Sequence, residues 1–114
     1  MSQSYIENRF EKFWAIHGDG IVLESQFCVA SSYDCYPYRI DYYHLPTATA
    51  IELDGKDWHS SPEQIAEDRA REQWIALQIP NVRFIRLTGA EVVNDPVRSV
   101  YKVRGIIKNR KEVL

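Results

Sequence analysis

Two short stretches decide the fold: Tyr38-Arg39-Ile40-Asp41-Tyr42-Tyr43 and Thr49-Ala50-Ile51-Glu52-Leu53-Asp54. Each alternates polar and apolar side chains, and His44-Leu45-Pro46-Thr47 lies between them, so 38–54 reads as a β-hairpin. With the turn centred on Pro46-Thr47, Asp41 stands opposite Glu52 and Arg39 opposite Asp54. Period-two alternation then places Arg39, Asp41, Tyr43, Glu52 and Asp54 on one face and Ile40, Ile51 and Leu53 on the other. A one-residue slip would break this match. Carboxylates facing each other across a sheet repel, so the cluster needs a compensating cation. Either Arg39 neutralises it in an ordinary surface sheet, or a hard divalent ion, Mg²⁺ or Mn²⁺, takes the carboxylates as oxygen ligands.

The elements on either side agree with an α/β domain. Ile6, Phe10, Phe13 and Trp14 recur at helical spacing behind Ser4 and Glu7, which predicts a helix over 4–17 stopped by Gly18-Asp19-Gly20. Residues 21–29 read as a strand. Ser61-Pro62-Glu63-Gln64 is a strong helix start, and Ala66, Ala70, Trp74 and Leu77, with Ile65 and Ile75, mark one apolar face to Gln78. Val82 to Leu87 reads as a strand and Ala90 to Asn94 as a short helical turn. A last helix runs from Asp95-Pro96 through Val97, Val100, Val103 and Ile107. The order αβββαβα implies a mixed central sheet with helices packed on it, in one domain over 1–114.

The chain has 114 residues, 45% of them hydrophobic and 14 of them aromatic (3 Trp, 7 Tyr, 4 Phe), which excludes a disordered protein. No apolar run approaches a membrane span, and the polar opening residues are unlike a targeting segment. Cys28 and Cys35 are too few for a disulfide scaffold and too awkwardly spaced for zinc, so they read as free thiols in a cytoplasmic protein. The net charge of −2 conceals a division: residues 1–82 carry 6 basic and 13 acidic side chains, residues 83–114 carry 8 basic and 3 acidic. The basic tail, with Lys102, Arg104 and Lys108 on the last helix, reads either as a solvated helix face or as a phosphate-facing surface.

Pro37-Tyr38-Arg39-Ile40-Asp41, then Ile51-Glu52-Leu53-Asp54-Gly55 and His59, resembles the core of the PD-(D/E)XK nucleases, and within them the small bacterial branch similar to very-short-patch-repair endonucleases. Leu23-Glu24-Ser25-Gln26, Gln64 to Arg71 and Arg83-Phe84-Ile85-Arg86-Leu87-Thr88-Gly89 extend the likeness along nearly the whole chain. The resemblance implies a restriction-endonuclease-like αβα sandwich and Mg²⁺- or Mn²⁺-dependent phosphodiester hydrolysis. By the same resemblance Asp41 and Glu52 are metal ligands, Leu53 adds its main-chain carbonyl, and Glu7 is the acid of the first helix. Asp54 departs from the pattern, because it stands where the family has Lys. The water-activating base is then Asp54 first, with His59 and Lys56 as alternatives. Arg39, Lys56, Arg69 and Arg71 are expected to clamp phosphates. Asp68 and Arg71 can also be read as a simple intrahelical pair. Gln26 and Trp58 are auxiliary candidates, the latter for base stacking.

Two readings remain open on the sequence. One is a DNA endonuclease, with a nickase and a junction-resolving enzyme as variants and RNA not excluded as substrate. The other is a nuclease-derived binding module that does not cut. Selectivity would come from a homodimer, from the 30–37 loop or from a partner protein.

Overall fold

The structure, a computed structural model, describes residues 5–29, 38–54 and 61–113. His59, Lys56, Trp58 and Cys35 therefore lie outside the described residues. Helix α1 spans Tyr5–His17, and strands β1 and β2 span Glu24–Cys28 and Arg39–His44. After a 3₁₀ turn at Leu45–Thr47, strand β3 spans Thr49–Asp54 and helix α2 spans Pro62–Gln78. Strand β4 (Arg83–Thr88) leads into the short helix α3 (Gly89–Asn94) and then α4 (Pro96–Asn109).

The four strands form one mixed sheet in the order β1-β2-β3-β4, antiparallel except for the parallel β3–β4 pair. In the hairpin, Tyr42 pairs with Ile51, Tyr43 with Ala50 and His44 with Thr49. The pairing ends at Tyr42–Ile51, one residue short of the expected Asp41–Glu52 pair. The turn closes on Ala48, whose left-handed φ of 51° is held by its N–H bond to the Leu45 carbonyl.

Apolar residues gather on both sides of the sheet. Tyr42, Ile51, Ile85 and Leu87 pack with Phe10 of α1, Val92 of α3, and Val100, Val103 and Ile107 of α4. Tyr43 and Ala50 pack with Ile75 of α2, joined by Trp74, Phe27 and Phe84. Ile40 departs from strict alternation: it belongs to this second cluster rather than joining Ile51 and Leu53. The interruption lies beside β1, where Ser25 pairs with Tyr42 and Phe27 with Ile40 while Gln26 between them takes a φ of 50°. Strand β1 is also shorter than the sequence implies. Trp14 Nε1 donates to the Ile21 carbonyl and Ile21 N–H to the Gly18 carbonyl, so the chain after α1 is used in a turn.

Helix α2 begins as the sequence requires. Ser61 Oγ accepts from Gln64 N–H and Gln64 Oε1 accepts from Ser61 N–H, both at 3.2 Å, with Pro62 in the first turn. Ser61→Ala removes one arm of this box and should cost about 1 kcal/mol, read as a lower urea midpoint at unchanged slope. The apolar face of α2 is narrower than its periodicity implies, since Ile75 is fully buried while Leu77 is 77% exposed. Cys28 is disulfide-bonded, which corrects the free-thiol expectation for it. Among the described residues, no helix is long and apolar enough to cross a membrane.

Candidate active site

The acidic residues of the hairpin meet side chains from three other elements. On β2, Asp41 Oδ2 accepts the main-chain N–H of Leu53 at 2.9 Å, which fixes the carboxylate against the neighbouring strand. Glu52 on β3 is 7% exposed and forms an ion pair with Arg71 of α2 at 2.7 Å. The same guanidinium donates through Nη2 to the Arg39 carbonyl at the start of β2. Glu7 of α1 accepts a 2.8 Å hydrogen bond from Gln26 Nε2 and bears electrostatically on Asp41. Glu11, one turn along α1, accepts from the buried Tyr42 hydroxyl at 2.5 Å. The unusual backbone of Gln26 therefore sits where α1 and β1 meet the carboxylates, a place where strain commonly serves function.

Burial raises the pKa of Asp41. The Leu53 N–H opposes that shift, Glu7 adds to it, and a hydrogen bond with Glu52 and the charge of Arg71 oppose it. Burial also pushes Glu52 up to about 7, against the pull of Arg71 and with the repulsion of Asp41. Burial and repulsion from neighbouring carboxylates thus raise both carboxyls, and Arg71 opposes the rise in each.

Asp54 does not join this pair. The parallel register sets Glu52 beside Arg86 and Asp54 beside Thr88. Arg86 reaches along its strand to Asp54 Oδ1 at 3.2 Å, and its other nitrogen pairs with Glu72 and lies 3.9 Å from Asp68. Thus Asp54 is partnered by Arg86, not by Arg39. Likewise Arg71 is partnered by Glu52, and Asp68 by Arg86, instead of by each other. Asp54, Ile65, Asp68, Arg69, Glu72 and Arg86 line an open cavity of about 280 Å³. Burial raises the pKa of Asp54, opposed by Arg86 and reinforced by Asp68 and Glu72. Arg86 is the residue that sequence reasoning passed over. Its string was visible, but its position depends on a parallel pairing between segments separated by a helix.

The expected convergence of three carboxylates is accordingly reduced to two. Among the described residues, no group of three His, Cys, Asp or Glu side chains is arranged to hold a metal ion. The pair that remains still fits a hard cation, since Mg²⁺ is commonly held by one or two carboxylates together with substrate phosphate.

Of the expected phosphate contacts, Arg39 and Arg69 are exposed, and Arg71 is committed to Glu52. The basic face of α4 is tied into the protein. Lys102 lies 3.9 Å from Glu91, Lys108 pairs with Asp19, and Arg104 donates to the His17 carbonyl at 3.0 Å. Arg104 also lies over the Tyr101 ring, 4.4 Å from its centre.

The mixed sheet with its flanking helices has a counterpart among solved structures. The chain shares its fold with the catalytic domain of the homing endonuclease I-Bth0305I, with a TM-score of 0.54 and 16% sequence identity over 93% of this chain and 92% of that one. No family model and no curated protein matches the chain.

Proposed function

We propose that this protein is a metal-dependent DNA endonuclease with a restriction-endonuclease-like, PD-(D/E)XK-type site. The observation that carries the reading is the adjacent carboxyls of half-buried Asp41 and buried Glu52, set beside Glu7 and two arginines in a nuclease-like fold. Asp41, Glu52 and the Leu53 carbonyl are assigned as the ligands of Mg²⁺ or Mn²⁺. That ion, when bound, would polarise the scissile phosphate and lower the pKa of a water. The Leu53 N–H holds Asp41 in place for this role, and Gln26 orients Glu7.

The family's Lys is replaced here by Asp54, and Arg86 brings a cation to the same place from β4. Arg86 is assigned to charge stabilisation at the phosphate. Glu7 shares the surroundings of Asp41 while Asp54 is held by Arg86, so Glu7 ranks ahead of Asp54 as proton acceptor. Arg39 and Arg69 are assigned to the DNA backbone. The observation favouring a module that binds without cutting is that same Asp54 in the Lys position.

The test is cleavage of supercoiled plasmid, linear DNA and a four-way junction with Mg²⁺ or Mn²⁺. Glu7→Gln should slow cleavage by about a hundredfold, in the range of a general base, and Asp54→Asn by less. The reverse order would transfer the base to Asp54. Metal and DNA binding without cleavage would establish the binding module, and absence of both would remove the nuclease reading.

A further inference from the structure

Arg71 occupies a position that a phosphate clamp would not need. Its side chain is only 18% exposed, its Nη1 lies 2.7 Å from Glu52 Oε1, and its Nη2 bonds the Arg39 carbonyl. A single guanidinium therefore bridges both hairpin strands, two residues before Asp41 on one and at the assigned ligand itself on the other. Lys could not hold both partners from one point charge, whereas the fork of Arg can. Glu52 is nearly inaccessible to water, so some positive charge must compensate it when no ion is bound.

We propose that Arg71 is the resident counter-cation of the site: it latches Glu52 in the metal-free protein and is displaced from it when a divalent cation binds. This inference rests on the assignment of Asp41 and Glu52 as metal ligands. Two cations on one buried carboxylate repel each other, so the incoming ion takes over the neutralisation of Glu52 and the guanidinium is released toward the open side of the site. There it can meet the phosphate. Arg71 is thus a positioning residue that couples metal binding to DNA binding. Metal affinity without DNA is held down by the latch, and DNA strengthens it by accepting the freed guanidinium.

The test is calorimetric titration of the purified protein with MnCl₂, with and without a short DNA duplex. Arg71→Gln should bind Mn²⁺ about tenfold more tightly than wild type, the scale of one lost charge-assisted hydrogen bond. Arg98→Gln, the same charge change at an exposed arginine of α4, should move the affinity less than about twofold because exposed charges are screened. Arg71→Lys keeps the charge and loses the bridge, so it should also tighten Mn²⁺ binding and serves if the Gln variant does not fold. The enhancement of Mn²⁺ affinity by DNA should be lost in Arg71→Gln. Unchanged or weaker Mn²⁺ binding by both Arg71 variants, with wild-type binding still abolished by Asp41→Asn, would overturn the latch alone. Absence of Mn²⁺ binding by wild type and both Arg71 variants would overturn the latch together with the metal assignment.

Discussion

Asp41→Asn is expected to fold normally and to lose metal-dependent cleavage by at least about a thousandfold, because the Lewis-acid contribution of a bound ion amounts to several kcal/mol. The amide is chosen because its oxygen can still accept the Leu53 N–H that Asp41 now receives at 2.9 Å. Its NH₂ group can donate toward Glu52 and Glu7, the carboxyls that bear on Asp41. The substitution therefore removes a half-buried negative charge without orphaning a hydrogen-bond partner, and the thermal midpoint should not fall. Loss of activity with an equal or higher midpoint separates a chemical role from a structural one. Calorimetry should show that Mn²⁺ binding disappears together with cleavage. Cleavage persisting in both Asp41→Asn and Glu52→Gln would place the chemistry elsewhere.

The parts of this site that could be read in the sequence are those held together by a short turn. Asp41 and Glu52 lie on strands joined by four residues, close enough for a side-chain hydrogen bond between them. The parts that could not be read depend on segments brought together across the whole fold. Arg71 reaches β3 from α2, and Arg86 reaches Asp54 from a strand that returns parallel only after that helix. The same cause explains the error on α2. Its periodicity marks Ala66, Ala70 and Leu77 for burial, yet the helix turns Asp68, Arg71 and Glu72 to charged partners and buries Ile75. Helix α4 also carries charged contacts, yet its Val100, Val103 and Ile107 are buried as their spacing predicts. Its cations were less legible, because helical spacing does not reveal that Asp19 and Glu91 lie within reach.

The carboxyl pair also makes stability depend on pH in an unusual direction. Glu52 has an ordinary pKa of 4.5 and is pushed up to about 7 by burial, and Asp41 is raised as well. Across this interval the unfolded chain releases its proton first, so the native state holds more protons and stability falls as pH rises. The contribution is fully present below the unfolded pKa, declines through the window from about 4.5 to about 7, and is flat above it. For a rise from 4.5 to about 7, its size is on the order of 3 kcal/mol. Urea midpoints of wild type should therefore decline from pH 5 to pH 7.5 relative to those of Glu52→Gln, which has no proton to lose at that position. The comparison cancels carboxylates that behave conventionally, such as Asp19, whose pKa is lowered by its bond to Lys108. Adding Mg²⁺ should reverse the decline selectively, raising the wild-type midpoint more at pH 7.5 than at pH 5.5, because an ion binds the deprotonated carboxylates. Parallel midpoints for wild type and Glu52→Gln across the range would mean that Arg71 keeps Glu52 ionised throughout. The unloaded site would then be a permanently charged pair, and its metal affinity should be nearly independent of pH between 5.5 and 7.5.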